Sequence, residues 1–247
     1  MSESKSPLVH PSVFSLAYWR EAAGNLKNVR MLALAAMIIA LRAICKMVEI
    51  PIAPGLNINL AGIFNAAGAM VYGPVVGVAG AIVSDPLGYL LHPDGPYFLP
   101  FMLVDMSSSF LFGLLFWKRR LTVNRAMGAK FAVNMVSNVV LTSVIMKWYY
   151  LIFYGVEKAE AYNIINLTRI VKNLVMFPVE AILIAVVLGA LSPALYRLRM
   201  LSEKPDLKLK WQHWVLVAVL TLLAVGLVLF YIFFLKDFVK EHNFKWW

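Results

Sequence analysis

The sequence is poor in charged side chains and has a single cysteine, and each shortage excludes a class of protein. Only 15% of the 247 residues are charged and 61% are apolar, whereas about a quarter of the residues in an ordinary soluble domain are charged. The lone Cys45 cannot form a disulfide within the chain, which excludes a disulfide-rich secreted scaffold. These proportions also exclude a disordered chain and an ordinary soluble enzyme, and they indicate an integral membrane protein.

Motifs of common enzyme and nucleotide chemistry are missing as well. The sequence contains no G-x-x-x-x-G-K-[ST], no H-E-x-x-H, no G-x-S-x-G and no aspartate cluster for a magnesium ion. Its four histidines are too scattered to indicate a metal site. We therefore predict that the protein is not an enzyme and has no cofactor or metal. The lack of a detectable inverted repeat argues against a self-sufficient secondary transporter.

Seven apolar runs approach the length that a helix needs to cross a bilayer, about 20 residues. They cover residues 31–48, 58–71, 75–91, 98–117, 131–153, 171–196 and 214–235. The second and third are short and are separated only by Tyr72-Gly73-Pro74, where the proline disfavours a continuous helix, so we predict a tight helical hairpin. Residues 12–26 mix apolar and polar side chains, which predicts a short helix on the membrane surface.

The cations are unevenly distributed along a chain with a net charge of +10. Most precede the first span, follow the sixth, or lie between the fourth and fifth. That last loop is predicted to hold Lys118, Arg119, Arg120, Arg125 and Lys130. Because cytoplasmic loops are rich in lysine and arginine, we predict a multi-pass protein of the cell membrane with a cytoplasmic N-terminus. Seven spans would then place the C-terminus outside.

Ionisable residues also lie inside the spans, where each costs about 2.5–3.5 kcal/mol on insertion scales. Arg42, Lys46 and Glu49 share one helical face of the first span. Further polar positions are Asp85, Tyr89 and His92 in the third span, Asp105, Ser108 and Ser109 in the fourth, Asn134, Asn138 and Thr142 in the fifth, and Arg169, Lys172, Asn173 and Glu180 in the sixth. Polar faces on five helices predict a cavity, open to the outside, for an anionic ligand. The alternatives are snorkelling or pairing of the cations with Glu49, and hydrogen bonding between helices.

Two other patterns bear on partners and ligands. Ala36, Ala40 and Ala43 form a smooth face on the first span, which favours close packing against another helix. Aromatic residues are frequent near the outer side, including Tyr89, Tyr97 and 148–154. A belt at the membrane interface explains most of them, and one or two could stack on a flat ligand.

Several stretches, taken in order, resemble a known family. They are Tyr18-Trp19-Arg20 with Leu26-Lys27-Asn28, the first span LALAAMIIALRAICKMVEIPIAPGLNI, the segment NAAGAMVYGPVVGVAGAIVSDPLGYLLHPDGPYF, and LTRIVKNLVMFPVE at the sixth span. Together they cover roughly residues 15–200. Their order and spacing resemble the substrate-binding S components of energy-coupling-factor (ECF) vitamin transporters, and most closely the folate family.

This resemblance implies an all-α membrane fold of six helices with an outward-facing vitamin pocket. It also implies a complex with a transmembrane coupling subunit and two ATPase subunits. Ala36 and Ala40 match the alanine seam that contacts the coupling subunit in this family. The resemblance further implies a toppling mechanism, in which the S component rotates in the membrane when ATP drives its partners.

Folate is the ligand that the resemblance favours, and its chemistry suggests roles for the polar residues. The anionic glutamate tail would be bound by Arg42, Lys46, Arg169 and Lys172. The donor and acceptor edge of the pterin would face Asp85, Asn138, Asn173 and Glu180, and its ring would stack on Tyr89 and Tyr97.

Departures from the family pattern bear on the identity of the vitamin and on the domain organisation. Members often carry an arginine after the first span, in a Leu-Arg-Ile-like stretch, whereas this chain has Leu56-Asn57-Ile58. The glycine-rich turn before the fourth span is replaced by Pro93-Asp94-Gly95-Pro96-Tyr97-Phe98-Leu99-Pro100. The predicted organisation is an N-terminal segment 1–30 with the surface helix, a six-helix substrate-binding domain 31–200, and a region 201–247 with a basic loop, a seventh transmembrane helix and a tail.

Several alternatives to a folate-type S component are compatible with the sequence, including a structural assembly protein that binds no ligand. The nearest is an S component for another ECF vitamin. A standalone secondary carrier or channel would work without ATPase partners. A polytopic enzyme acting on lipid-linked or prenyl substrates would need a metal-binding carboxylate cluster, which the sequence does not have.

Overall fold

The computed structural model describes residues 12–47, 50–53, 56–58, 60–93, 95–164 and 167–230. Its helices are α1 (Leu16–Gly24), α2 (Val29–Met47), α3 (Leu60–Leu91), α4 (Met102–Phe116), α5 (Val123–Val133), α6 (Thr142–Tyr154), α7 (Val156–Ala161), α8 (Leu167–Arg197) and α9 (Trp211–Phe230). Two short strands, β1 (Ile50–Ala53) and β2 (Leu56–Ile58), pair antiparallel between α2 and α3. A π-helical segment, Asn134–Leu141, joins α5 to α6.

Four helical stretches in the described part of the chain are long and apolar enough to cross a membrane. They are Leu60–Leu91, Leu99–Phe116, Val123–Tyr154 and Arg169–Arg197. A fifth arises if Leu16–Lys27 and Val29–Met47 form one span, which is bent by 77° at its break. The predicted all-α membrane architecture is thus confirmed. The count of six helices plus a seventh stays a prediction, because α9 has only a shorter apolar stretch, Trp211–Leu223, among the described residues.

The long element α3 is broken at Gly73, whose φ of 81° and ψ of −175° are not helical. On one side of the break, Ser109 Oγ donates a hydrogen bond to Asn65 Oδ1 at 2.8 Å. On the other side, a Cβ at Gly77 would lie 3.4 Å from the Ser109 carbonyl oxygen. A continuous helix would separate Asn65 from Gly77 by about 18 Å, so the chain turns back at Gly73. This turn corresponds to the predicted hairpin of the second and third spans.

Close packing at the turn depends on small side chains. A Cβ at Gly73 would lie 2.7 Å from the Trp117 ring, and a Cβ at Gly113 would lie 2.4 Å from Pro74 Cα. The two glycines therefore allow α4 to cross directly against the turn. A core cluster of α3, α4, α5 and α8 side chains lies beside this crossing and includes Ile63, Met70, Phe112, Phe116, Ala126, Val133, Ile184 and Leu188.

The predicted surface helix at residues 12–26 corresponds to α1 and the single 3-10 turn Asn25–Lys27. Tyr18 and Ala22 are buried against Trp117, whereas Phe14 and Leu16 are 98% and 78% exposed. One face of α1 thus packs on the bundle and apolar residues remain on its outer side. Its placement on the membrane surface stays a prediction.

The fifth span begins earlier than the sequence predicted, at Val123 instead of residue 131. Thr122 caps the helix, because its hydroxyl accepts a hydrogen bond from the Arg125 backbone N–H at 3.3 Å. Arg125 and Lys130 were predicted to lie in the preceding loop, and this was wrong, because both belong to α5. Lys130 is only 4% exposed. It can lie inside the helix bundle because its charge is paired there.

The partner of Lys130 is Glu180 on α8. Lys130 Nζ lies 3.0 Å from Glu180 Oε2, and Asn134 Nδ2 donates to the same oxygen at 3.0 Å. Asn138 Nδ2 in turn donates to Asn134 Oδ1 at 3.2 Å. Both asparagines belong to the π-helical segment. This buried network joins the fifth and sixth predicted spans.

Replacing Lys130 by Met should strongly destabilise the protein. It leaves Glu180 as an uncompensated buried charge, and breaking such a pair costs about 3–5 kcal/mol. The double variant K130M/E180Q should recover most of the loss, since a neutral glutamine still accepts the hydrogen bond from Asn134. Thermal unfolding in detergent measures both variants. A double variant that melts as low as K130M would contradict the assigned pairing.

Candidate functional site

A polar cavity of about 480 Å³ lies where the C-terminal ends of α2 and α3 meet the start of α4 and the middle of α6. Its described lining residues are Lys46, Asp85, Gly88, Tyr89, His92, Pro96, Tyr97, Phe98, Phe101, Met146 and Tyr149. The volume lies within the roughly 300–1,000 Å³ usual for small-molecule sites. Charged groups and aromatic rings line it together.

Two cations of α2 are paired with two carboxylates beside this cavity. Lys46 Nζ lies 3.1 Å from Asp105 Oδ2 and 3.6 Å from Asp85 Oδ1. Arg42 Nη2 lies 3.2 Å from the same Asp105 oxygen. Arg42 and Lys46 are one helical turn apart, so both side chains point to the same neighbour. The network brings together α2, the second half of α3, and α4.

Local structure explains how these groups come so close. Asp105 lies in the first turn of α4, where the helix dipole favours a negative charge. The Lys46 side chain passes over Gly88, at which a Cβ would lie 2.5 Å from Lys46 Cδ. Arg42 is 2% exposed and its Nε makes no hydrogen bond within the described structure. Among the described residues, Asp105 is the carboxylate paired with this buried guanidinium.

The two tyrosines in the cavity wall are held by polar contacts. Tyr97 donates a hydrogen bond to Asp85 Oδ2 at 3.1 Å, and Tyr89 donates to the Gly95 carbonyl at 2.8 Å. Their ring centroids are 4.9 Å apart at an interplanar angle of 48°. Burial, and after it the Asp85 carboxylate, raises the pKa of the Tyr97 phenol above its usual value. Tyr97 thus stays a neutral donor at physiological pH.

Further rings extend this wall. Phe98 is 8% exposed and makes edge contacts with Phe101, Trp148, Tyr149 and Phe153. A cavity lined by both paired charges and aromatic rings can hold a flat ligand that has donor and acceptor groups. Among the described residues there is no group of three His, Cys, Asp or Glu side chains able to hold a metal ion.

The structure brings four of the predicted site residues together at the cavity. Lys46, Asp85, Tyr89 and Tyr97 line it directly. Arg42 stands behind them through its ion pair with Asp105. Glu49, the predicted alternative partner of the cations, lies outside the described residues.

The other predicted site residues occupy different positions. Asn138 and Glu180 belong to the buried network with Lys130 and are not part of the described cavity lining. Asn173 Nδ2 donates to the Arg169 carbonyl at 2.9 Å within α8. Arg169 is half-buried and Lys172 is exposed, and neither lines the described cavity.

Asp105 was not predicted to be a binding-site residue, although it forms ion pairs with both Arg42 and Lys46. It was noted only as one of several polar residues in the fourth span. The available signal was its rarity, since Asp105 is the only acidic residue between 98 and 117. His92, Phe98 and Tyr149 were also left out of the predicted site, because aromatic residues near a membrane surface are equally typical of an interfacial belt.

The fold and the cavity define a helical membrane protein with a cavity of the size usual for small-molecule sites. Residues 26–197 match the family model described as the S component of the ECF-type riboflavin transporter. Because this match covers well over half of the chain, the chain belongs to this family of ECF transporter S components. The family consists of transporter subunits and not of enzymes, as the sequence analysis predicted.

Individual relatives are also similar to this chain. The folate transporter FolT of Clostridium novyi (strain NT) is 29% identical over 132 residues, which is 53% of this chain and 72% of the relative. FolT of Leuconostoc mesenteroides subsp. mesenteroides is 24% identical over 157 residues, 62% of this chain and 81% of the relative. A crystal structure of FolT bound with folic acid matches with a TM-score of 0.51 at 23% identity, over 62% of this chain and 88% of that one. The shared fold is that of an S component.

Replacing Asp105 by Asn should destabilise the protein by about 3 kcal/mol, because it removes the charge that faces a buried arginine. The matched control is Asp206→Asn. Asp206 Oδ2 lies 3.0 Å from Arg120 Nη2, but the two side chains are 41% and 62% exposed, so its loss should cost less than about 1 kcal/mol. Thermal unfolding in detergent compares the variants, and equal shifts would show that burial of the Arg42 pair has no energetic consequence.

Proposed function

We propose that the chain is the membrane-embedded binding subunit of an ECF-type importer that captures folate, or a related anionic vitamin, from outside the cell. Membership of the S-component family and the polar, aromatic-walled cavity support this proposal. The observation that carries it is Lys46 at the cavity wall, 3.1 Å and 3.6 Å from two carboxylates, in a cavity that Tyr89 and Tyr97 also line.

Two findings point to different vitamins, and the site chemistry favours folate. The matching family model is described for riboflavin, whereas the two relatives are named folate transporters. Riboflavin has no charged group. Folate combines a pterin, which offers donors to a carboxylate such as Asp85, with carboxylates that suit Lys46. A cavity lined by both a cation, Lys46, and a carboxylate, Asp85, therefore suits folate better than riboflavin.

The proposed site is narrower than the set predicted from the sequence. We assign Lys46 to anionic groups of the ligand, Asp85 to the pterin edge, and Tyr89 and Tyr97 to its ring, while Arg42 supports the site from behind through Asp105. Arg169, Lys172 and Asn173 at the start of α8 do not line the described cavity, and the family resemblance alone supports their assignment to the outer part of the ligand. The contacts of Glu180 and Asn138 with Lys130 and Asn134 favour a structural role for both.

Calorimetric titration of the purified protein tests the substrate. We expect one-to-one binding of folate without ATP or partner subunits, and no heat with riboflavin. Lys46→Gln should weaken folate binding by about 10-fold or more, because a charge-assisted hydrogen bond contributes about 1.5–3 kcal/mol.

The matched control for this titration is Lys158→Gln. Lys158 is exposed, and its ammonium group lies 5.0 Å from the Tyr154 ring centroid, away from the cavity lining. Its replacement should leave the affinity for folate unchanged. If riboflavin binds and folate does not, the S-component function stands, but folate is rejected as the substrate. Binding of neither would contradict the proposed function.

Delivery into the cell is the second part of the proposal. The cavity lies at the C-terminal end of α2, so a cytoplasmic N-terminus in the cell membrane would orient it outward. Ala36 and Ala40 are both exposed on α2, beside the exposed Met37 and Ile44. We propose that this face contacts the coupling subunit, and that two ATPase subunits drive toppling of the S component.

The double variant A36L/A40L should bind folate normally in detergent but should no longer support uptake in cells that contain the coupling and ATPase subunits. Leucine side chains would prevent the close helix approach that small residues allow. The control is Ala190→Leu, at an exposed alanine of α8. Lost binding together with intact assembly would contradict the assigned face.

A further inference from the structure

A second depression, distinct from the polar cavity, lies between α5, α8 and α9. It encloses about 440 Å³ and is lined, among the described residues, by Asn124, Met127, Gly128, Phe131, Leu174, Phe177, Leu216, Leu220 and Leu223. We call it the α9 groove. Asn124 is the only polar side chain in this lining, and it stands at one end, at the start of α5.

The α9 groove opens on the outer surface of the bundle. Phe131 and Leu223 on its walls are 43% and 60% exposed, and a Cβ at Gly128 would meet no atom within 4 Å. Water would find no polar partners along these walls. In a chain that spans a bilayer, such a surface faces lipid tails, so a hydrocarbon chain is its natural occupant.

Two lysines lie in the segment that packs beside the groove. Leu207 and Leu209 pack against the core cluster of Val123, Met127, Phe177, Ala181, Ala185 and Val217, of which Met127 and Phe177 line the groove. The intervening Lys208 and the following Lys210 are exposed. Neither lysine forms an ion pair with any described residue. Asp206, the nearest carboxylate in sequence, is paired with Arg120.

Two tryptophans mark this segment as lying at the level of the membrane interface. Trp211 and Trp214, at the start of α9, are 80% and 49% exposed. Exposed tryptophans at a helix end are typical of the headgroup region of a bilayer. Lys208 and Lys210 therefore stand where phosphates of lipid headgroups lie.

We propose that the α9 groove binds one anionic phospholipid. Its phosphate contacts Lys208 and Lys210, and one acyl chain runs along α5 from Asn124 toward Phe131, about 10 Å. Phe131 and Phe177, whose rings meet edge to face with centroids 5.4 Å apart, offer the acyl chain an aromatic surface. The free lysines beside an apolar groove favour a lipid over a second copy of this chain, whose equivalent surface carries the same positive charge.

Native mass spectrometry of protein released from nanodiscs tests this site. The discs contain equal amounts of phosphatidylglycerol and phosphatidylcholine, which differ in net headgroup charge. The wild-type chain should retain one phosphatidylglycerol in preference to phosphatidylcholine. Gly128→Phe should reduce this retention by about tenfold or more, because its ring fills the groove. K208Q/K210Q should abolish the preference between the two lipids.

Two control variants separate the site from general effects. Val144→Phe adds a ring at an exposed position of α6 outside the groove, and it should retain lipid as the wild type does. K27Q/R30Q removes the same charge from exposed positions in the 3-10 turn before α2 and in the first turn of α2, and it should keep the lipid preference. Folate binding, measured in parallel, should be unchanged in all four variants, since none of these residues lines the polar cavity.

Several outcomes would overturn the proposal. One is equal retention of the two lipids by the wild type, and another is undiminished phosphatidylglycerol on Gly128→Phe. If the wild-type chain is a dimer and Gly128→Phe makes it monomeric, the occupant of the α9 groove is a second copy of this chain. Lipid that binds only after removal of residues 231–247 would identify the C-terminal segment as the occupant.

Discussion

Pairing of charges away from water is the constraint on which this structure depends. A bilayer interior offers no solvent to an ionised side chain, so each charge needs a partner within the protein. Arg42 and Lys46 share Asp105, Lys46 reaches Asp85, and a second network pairs Lys130 with Glu180. These pairs join α2 to α3 and α4, and α5 to α8. The charges that an isolated helix could not carry thus specify how the helices assemble.

Interruptions of regular helix place these partners. The turn at Gly73 sends the second half of α3 back toward the end of α2, which is how Asp85 reaches Lys46. The π-helical segment places Asn134 against Glu180, with Asn138 bonded to Asn134. Segments of this kind are rare and frequently occur at functional sites. In this protein the two breaks serve different purposes, since one builds the cavity and the other supports the bundle behind it.

The paired state of the cavity has a consequence for ligand binding. Two cations and two carboxylates leave the wall without net charge, so a ligand does not meet an exposed cation. A ligand carboxylate that binds Lys46 must replace its contact with Asp85 or Asp105, and the released carboxylate then becomes an acceptor for donors on the same ligand. A molecule with an acid and a donor-rich ring can pair with both Lys46 and the released carboxylate. A simple anion would pair with Lys46 and leave that carboxylate unpaired. The proposed binding at Lys46 would therefore favour a ligand of mixed chemistry.

Composition and periodicity alone determined the membrane class, the helical hairpin around Gly73, and the shared face of Arg42 and Lys46, because these depend on local sequence. The resemblance of residues 15–200 gave the family. Only the tertiary structure decided that Asp105 is the shared counter-ion, that Lys130 lies within the bundle, and that Glu180 faces Lys130. Partners such as Arg42 and Asp105 are distant in sequence, and helical periodicity specifies the face of a residue but not the helix that packs against it. That choice follows from how the helices pack as a whole.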